Sequence, residues 1–88
     1  MSSAIRFTPA AWEDYAWWQG QDKKTLKRIN TLIEAARRMP FTGIGKPEPL
    51  LGNLAGYWSR RIDETQRLVY AADEVDFDVI ACRGHYDD

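Results

Sequence analysis

The chain has 88 residues, enough for one hydrophobic core and too few for two, so we expect a single domain over residues 1–88. Its net charge of −1 argues against a general nucleic-acid binder, because nonspecific affinity comes mainly from neutralised phosphates. The single cysteine, Cys82, cannot form an internal disulfide. No N-terminal apolar stretch has the length of a signal or membrane segment, so a cytoplasmic protein is expected.

The charges are unevenly distributed along the chain. Residues 23–67 contain ten Lys or Arg residues and four acids, whereas residues 68–88 contain six acids and one arginine. Such asymmetry allows a local basic surface within a slightly acidic protein.

A short strand and a helix are predicted at the N-terminus. Residues 4–7 are typical of a strand, and Thr8 followed by Pro9 is typical of a helix start, with a capping hydroxyl and a proline at the first helical position. Trp12 and Tyr15 follow helical spacing, which predicts that their rings face the core.

A second, longer helix is predicted after Gly20, which ends the first one. Asp22 is the N-cap, and the helix continues to about Met39, before Pro40. One apolar stripe is expected to face the core: Leu26, Ile29, Ile33 and Ala36. Most basic residues of this segment lie off that stripe, either as a plain solvated face or as a binding surface.

Residues 41–53 are rich in glycine and proline, which predicts an ordered loop rather than a helix or strand. Within the loop, Pro47 and Pro49 flank Glu48 and restrict the backbone on both sides. One interpretation is that the Glu48 carboxylate is held on a rigid, extended backbone. The other is that the segment is only a stiff surface turn.

Three strands are predicted at 56–62, 67–72 and 77–83, forming an antiparallel meander. A hairpin between the first two would place Arg61 roughly opposite Arg67, and like charges in that position are unfavourable. Either a shared anionic ligand or a nearby acid such as Asp63 or Glu64 would explain the pair.

Chemistry-bearing residues also occur at the C-terminus. His85, the only histidine, can carry a proton near neutral pH, and the arginines at 60, 61, 67 and 83 are suited to phosphate oxygens. This combination points toward RNA, although a histidine at a chain end could be inert.

The sequence offers no recognisable metal-ligand spacing or nucleotide loop, so no metal and no cofactor are expected. Apolar neighbours predict that Cys82 is a buried strand thiol.

Five strings, in order over residues 37–86, resemble the YoeB (Txe) family of bacterial toxins in the RelE-like superfamily, and the resemblance extends into the first half of the chain at Trp12, Asp14, Tyr15, Trp18 and Asp22-Lys23. The five strings are Arg37-Arg38-Met39-Pro40-Phe41, Gly43-Ile44-Gly45-Lys46-Pro47-Glu48-Pro49-Leu50, Gly56-Tyr57-Trp58-Ser59-Arg60-Arg61-Ile62, Arg67-Leu68-Val69-Tyr70 and Ala81-Cys82-Arg83-Gly84-His85-Tyr86.

The resemblance implies an α+β, microbial-RNase-like fold, with an N-terminal strand and two helices packed on a twisted antiparallel sheet. It also implies ribosome-dependent cleavage of mRNA in the A site, neutralisation by a cognate YefM-like antitoxin, and contact with operator DNA only through the antitoxin complex. No membrane partner is implied, and a homodimer stays open.

The resemblance also assigns site residues. Glu48, Arg67, His85 and Tyr86 match the family's catalytic positions, and Lys46 and Arg61 match positions suited to holding RNA. The neighbouring arginines Arg60 and Arg83 complete the predicted RNA-binding set. In a metal-independent reaction, Glu48 would be the base, Arg67 the phosphate stabiliser and His85 the acid.

Two other functions remain open at this stage. The same scaffold could serve as a non-enzymatic, antitoxin-bound co-repressor, or as a toxin that acts on topoisomerase, since a fold alone does not fix function. Retention of the four catalytic positions together favours the endoribonuclease.

Overall fold

A mixed five-stranded sheet forms the centre of the protein, and two helices pack on one of its faces. The structure is a computed structural model and describes residues 4–84. The elements, in chain order, are β1 (Ala4–Phe7), α1 (Pro9–Gln19), α2 (Lys23–Arg38), β2 (Glu48–Pro49), a 3-10 turn (Gly52–Leu54), β3 (Trp58–Arg61), β4 (Arg67–Ala72) and β5 (Asp76–Ala81).

The spatial order of the strands is β1-β5-β4-β3-β2. The predicted meander is confirmed, because β3, β4 and β5 are successive antiparallel neighbours. The prediction of an antiparallel sheet is wrong at one edge: β1 runs parallel to β5, and the long connection between them carries both helices. At the other edge, the predicted loop contains the two-residue strand β2.

Helix α1 begins and ends as the sequence predicts. The Thr8 hydroxyl accepts a hydrogen bond from the Ala11 amide (3.0 Å), and Gly20 closes the last turn. The prediction for Trp12 is wrong, because this ring is 53% exposed and contacts Phe7 edge-to-face. Trp18 is buried instead, and its indole donates to the Cys82 carbonyl (2.7 Å).

Helix α2 carries most of the helical contribution to the core. Asp22 caps it through the Lys24 amide (3.0 Å), as predicted. The buried residues are Ile29, Leu32, Ile33 and Ala36, whereas Leu26 is half-buried, so the predicted stripe is confirmed with Leu32 added. The helix ends before the proline that would remove a backbone donor.

Apolar side chains are buried on both faces of the sheet. The main core lies between the sheet and the helices, and a smaller cluster of Leu50, Val69 and Ala81 lies on the opposite face. Cys82 belongs to the main core and is 0% exposed, so burial raises the pKa of its thiol to about 12. Among residues 4–84, no helix is long and apolar enough to cross a bilayer.

Candidate functional site

Glu48 lies in β2, at the exposed edge of the sheet. Its backbone pairs with Ser59 of β3, which fixes the position of the Glu48 backbone in the sheet. The side chain is exposed and forms no ion pair or hydrogen bond within the described part of the chain. A carboxylate without a partner in these residues can accept a proton from a bound molecule.

Arg61 and Arg67 stand directly opposite each other on β3 and β4, so the predicted register is confirmed. The Arg67 guanidinium donates to the carbonyls of Asp63 (2.8 Å) and Gln66 (3.1 Å) in the connecting turn. The Asp63 carboxylate is used elsewhere, since it accepts the amides of Thr65 and Gln66. Over residues 4–84, therefore, no acid neutralises the arginine pair.

Glu48 and the two arginines share one face of the sheet. Trp58 and Ile62 contact the helix-side core, so by strand alternation Ser59 and Arg61 lie on the face away from the helices. Glu48 is opposite Ser59, and Arg61 is two residues further along β3. Diagonal neighbours in antiparallel strands are about 7–8 Å apart, which leaves room for a phosphate or ribose between the side chains.

Lys46 is brought to the same end of β3 by the loop before β2. The Arg61 amide donates to the Gly45 carbonyl (2.7 Å), so the loop is attached to β3 one residue before Lys46. Lys46 itself has a φ of 53°, a left-handed backbone that side-chain-bearing residues adopt only when their surroundings impose it.

Arg28 of α2 is a further basic residue at this end, and it was absent from the sequence-predicted site. Its guanidinium donates to the Arg61 carbonyl (3.1 Å). Only the position of Arg28 on the basic exterior of the predicted helix could have indicated it, because the contact spans thirty-three residues of chain.

Arg60, predicted to bind RNA, is instead a core residue. It is 0% exposed, and its guanidinium donates to the Tyr70 hydroxyl (3.1 Å) and to three loop carbonyls, those of Met39, Thr42 and Ile44. The prediction is wrong because strand alternation turns Arg60 to the helix side, where it cannot reach a nucleic acid.

Arg83 and Gly84 are the last described residues before the predicted acid. Arg83 is exposed and stacks on Trp17 of α1, with its guanidinium carbon 3.7 Å from the ring centre. The Gly84 carbonyl accepts the Arg67 amide (2.9 Å), and the Gly84 amide donates to the Gln66 side chain (2.6 Å). The chain is thus held beside Arg67; His85 and Tyr86 lie outside the described residues.

Comparison with known proteins gives consistent similarities. Residues 7–86 match the family described as "YoeB-like toxin of bacterial type II toxin-antitoxin system". A relative from Synechocystis sp., "Toxin YoeB", is 60% identical over 82 residues, covering 93% of this chain and 95% of that protein.

Two solved structures from Staphylococcus aureus are similarly close. The YoeB dimer has a TM-score of 0.89 and 45% identity, over 98% of this chain and 100% of that one. YoeB in its heterotetrameric complex with YefM has a TM-score of 0.86 and 45% identity, with the same coverage.

Proposed function

The chain belongs to the YoeB-like toxins of bacterial type II toxin–antitoxin systems, and from this premise we propose that it is a ribosome-dependent endoribonuclease that cleaves mRNA in the ribosomal A site. One observation carries the proposal. An unpaired carboxylate, Glu48, shares an open sheet face with two facing arginines, Arg61 and Arg67, that no acid neutralises within residues 4–84.

The proposed reaction is transesterification within the RNA. Glu48 takes the proton of the ribose 2′-hydroxyl, and the 2′-oxygen forms a bond to the adjacent phosphorus. The bond from phosphorus to the 5′-oxygen breaks, and His85 supplies the proton to that oxygen. The products are a 2′,3′-cyclic phosphate and a 5′-hydroxyl, and the step requires no metal or cofactor.

Arg67 balances the charge that develops on the phosphate, with support from Arg61 and Lys46. The register of β3 and β4 fixes the backbones of the facing pair, and the Arg67 guanidinium is further held by the Asp63 and Gln66 carbonyls. An anion between them removes the repulsion that they suffer in the free protein. Tyr86 stacks on the RNA or assists the proton transfer.

The ribosome requirement is what the resemblance to the YoeB family implies, and the openness of this face is consistent with it. The Glu48 and Arg61 side chains are exposed, and on such an open surface a flexible message would rarely adopt the geometry of in-line attack. A ribosome that already holds the message in a fixed conformation supplies that orientation. The isolated protein is therefore a poor nuclease. Because its proposed substrate is the message on the ribosome, its working compartment is the cytoplasm.

The second proposed partner is a YefM-like antitoxin. The Staphylococcus aureus relative is in a complex with YefM, and another structure of that protein is a dimer. We propose that this chain likewise binds an antitoxin segment that covers its arginines, that it reaches operator DNA only within that complex, and that it can pair with a second copy.

Two variants test the proposed catalysis. Glu48→Gln and Arg67→Ala should each lower the rate of mRNA cleavage on programmed ribosomes by about 10²–10⁴-fold, with unchanged circular dichroism. Glu74→Gln is the matched control, because it removes the same charge from the exposed turn between β4 and β5. Wild-type cleavage by folded Glu48→Gln protein would contradict the base assignment. A wild-type protein that binds antitoxin but cleaves nothing would indicate the non-enzymatic co-repressor instead.

A further inference from the structure

Within residues 4–84, Arg60 is the only fully buried charged residue, and the proposed reaction leaves it without a role. Its guanidinium meets no carboxylate among the described residues. The partners are the Tyr70 hydroxyl (3.1 Å) and the carbonyls of Met39, Thr42 (2.8 Å) and Ile44 (3.1 Å). Neutral dipoles alone therefore compensate a fully buried charge.

Those carbonyls belong to one continuous segment, residues 39–45, which we call the Arg60 loop. The Tyr70 hydroxyl adds a further bond to this loop, since it donates to the Pro40 carbonyl. A planar guanidinium presents its donors in a fixed fork, so several carbonyls bound at once must keep one mutual arrangement. A hydrophobic residue could fill the same volume but could not impose that arrangement.

The Arg60 loop is also wrapped closely around the side chain. Gly45 has a φ of 84°, and a Cβ at this position would lie 2.8 Å from a methyl of Leu32 and 3.1 Å from the Cβ of Arg60. Gly43 has a φ of 115°, and a Cβ there would lie 3.3 Å from the guanidinium. Both glycines therefore let the backbone approach Arg60 in a conformation that other residues resist.

The loop leads directly into the candidate site. Gly45 is tied to the Arg61 amide, Lys46 follows in its left-handed conformation, and Glu48 pairs with Ser59. The residues that anchor the two ends of this short segment, Arg61 and Ser59, are the sequence neighbours of Arg60. The Arg60 side chain thus holds the carbonyls of residues 39–44, and the backbone on either side of Arg60 holds the adjoining Gly45 and Glu48.

We propose that Arg60 is a positioning residue: by holding the Arg60 loop, it sets the orientation of Lys46 and Glu48 relative to Arg61 and Arg67. This inference rests on the proposed cleavage for its functional consequence. It assigns Arg60 no contact with RNA, so its loss changes the rate of the chemical step and leaves ribosome binding unaltered.

The test compares Arg60→Met, Arg60→Lys and Tyr70→Phe with Phe7→Leu. Phe7 lies in β1, at the opposite edge of the sheet from β2, and packs on Trp12 and Tyr15, so its substitution weakens the core away from the Arg60 loop. Cleavage on programmed ribosomes is measured at saturating and sub-saturating protein, at a temperature where circular dichroism shows each variant folded. Amide hydrogen exchange is measured without ribosomes, with the Arg61 amide reporting on the loop and the Ile62 amide, bonded to Gln66, as the internal reference.

We expect Arg60→Met to lower the saturated cleavage rate about 100-fold, the scale expected for a small misplacement of reacting groups, with the half-saturating concentration unchanged. Its Arg61 amide exchanges faster while the Ile62 amide does not. Arg60→Lys recovers part of the rate, and Tyr70→Phe shows a smaller loss of the same kind. Phe7→Leu lowers the melting temperature and changes neither the rate nor the Arg61 exchange.

Wild-type cleavage by folded Arg60→Met protein, or undiminished protection of its Arg61 amide, overturns the proposal. If Arg60→Met does not fold, Tyr70→Phe decides the matter, since it keeps the ring and removes only the hydroxyl bonds. A wild-type protein that never cleaves refutes the proposed function, whereas the exchange data still decide whether Arg60 holds the loop.

Discussion

Removing one arginine of the facing pair should make the protein more stable and less active. Arg61 lies opposite Arg67 on adjacent strands, and no carboxylate among residues 4–84 pairs with either side chain. Substitution Arg61→Gln keeps the strand backbone and the Arg61 carbonyl that accepts the Arg28 bond. The change removes the repulsion between the two guanidiniums, and the weaker interactions of Arg61 with Arg28 and Glu48, which are of opposite sign, offset each other in part.

The size of the effect follows from the register. Side chains directly opposite each other start about 5 Å apart, and exposed tips can separate slightly further. At about 6 Å in a water-like dielectric, two unit charges repel by about 0.7 kcal/mol, and salt of roughly 0.1 M, with a Debye length of about 10 Å, reduces this by nearly half. We expect Arg61→Gln to raise the free energy of unfolding by about 0.5 kcal/mol and the melting temperature by about 2–4 °C at low salt.

Urea and thermal unfolding of Arg61→Gln at low and high salt provide the assay. Arg6→Gln is the matched control: it removes the same charge from β1, where Arg6 pairs with Asp78 (2.7 Å) and Asp76 (3.4 Å). Its stability should move in the opposite direction, and both changes should shrink as salt rises. An Arg61→Gln protein that is no more stable than wild type at low salt, or whose gain is independent of salt, would refute the reasoning.

Three further predictions concern the core. Gly45→Ala should destabilise the protein by roughly 2–4 kcal/mol in urea unfolding, because the added Cβ would clash with Leu32. Gly56→Ala should destabilise it by only about 1 kcal/mol, because at Gly56 the added Cβ meets no other atom and only the positive φ opposes the substitution. Burial raises the pKa of the Cys82 thiol to about 12, from about 8.5 in the unfolded chain. The neutral thiol therefore makes its full contribution to the free energy of unfolding below about pH 8.5, and this contribution declines as the pH rises toward 12. The Cys82→Ala protein should lack this decline. Trp18→Phe should lower the free energy of unfolding by about 1–3 kcal/mol, because the buried Cys82 carbonyl loses its hydrogen-bond donor. An unchanged thermal unfolding curve would show that this bond is dispensable.

Local signals in the sequence predict the parts of the fold that are set by near neighbours. The Thr8 and Asp22 caps act on amides two or three residues away, so both helix starts could be read from residue type alone. The facing of Arg61 and Arg67 was equally accessible, because a short hairpin turn fixes the register.

Longer-range contacts account for what the sequence did not predict. The parallel pairing of β1 joins it to β5, which follows two helices and three other strands in the chain, and no local pattern encodes so distant a contact. The predicted core stripe of α1 contained Trp12 but not Trp18, which is six residues on and therefore on a different side of the helix. Only the position of the sheet decides which ring is buried.

Arg60 shows that a residue type can mislead about function. Strand alternation already placed it beside Trp58 and Ile62 on the helix side, but its charge suggested a phosphate ligand. Its actual partners are carbonyls of a loop up to twenty-one residues earlier in the chain, and loop geometry of that kind is visible only in the folded protein.

The chemistry of the RNA ends tests the central claim most directly. Purified protein, freed from any bound antitoxin, is added to ribosomes programmed with a defined message, and the ends of the fragments are mapped and typed. The account predicts cuts within the A-site codon only when ribosomes are present, with 2′,3′-cyclic phosphate and 5′-hydroxyl ends, and a rate at least about 10²-fold lower with Glu48→Gln. Intact message, or fragments with 5′-phosphate ends, would contradict it.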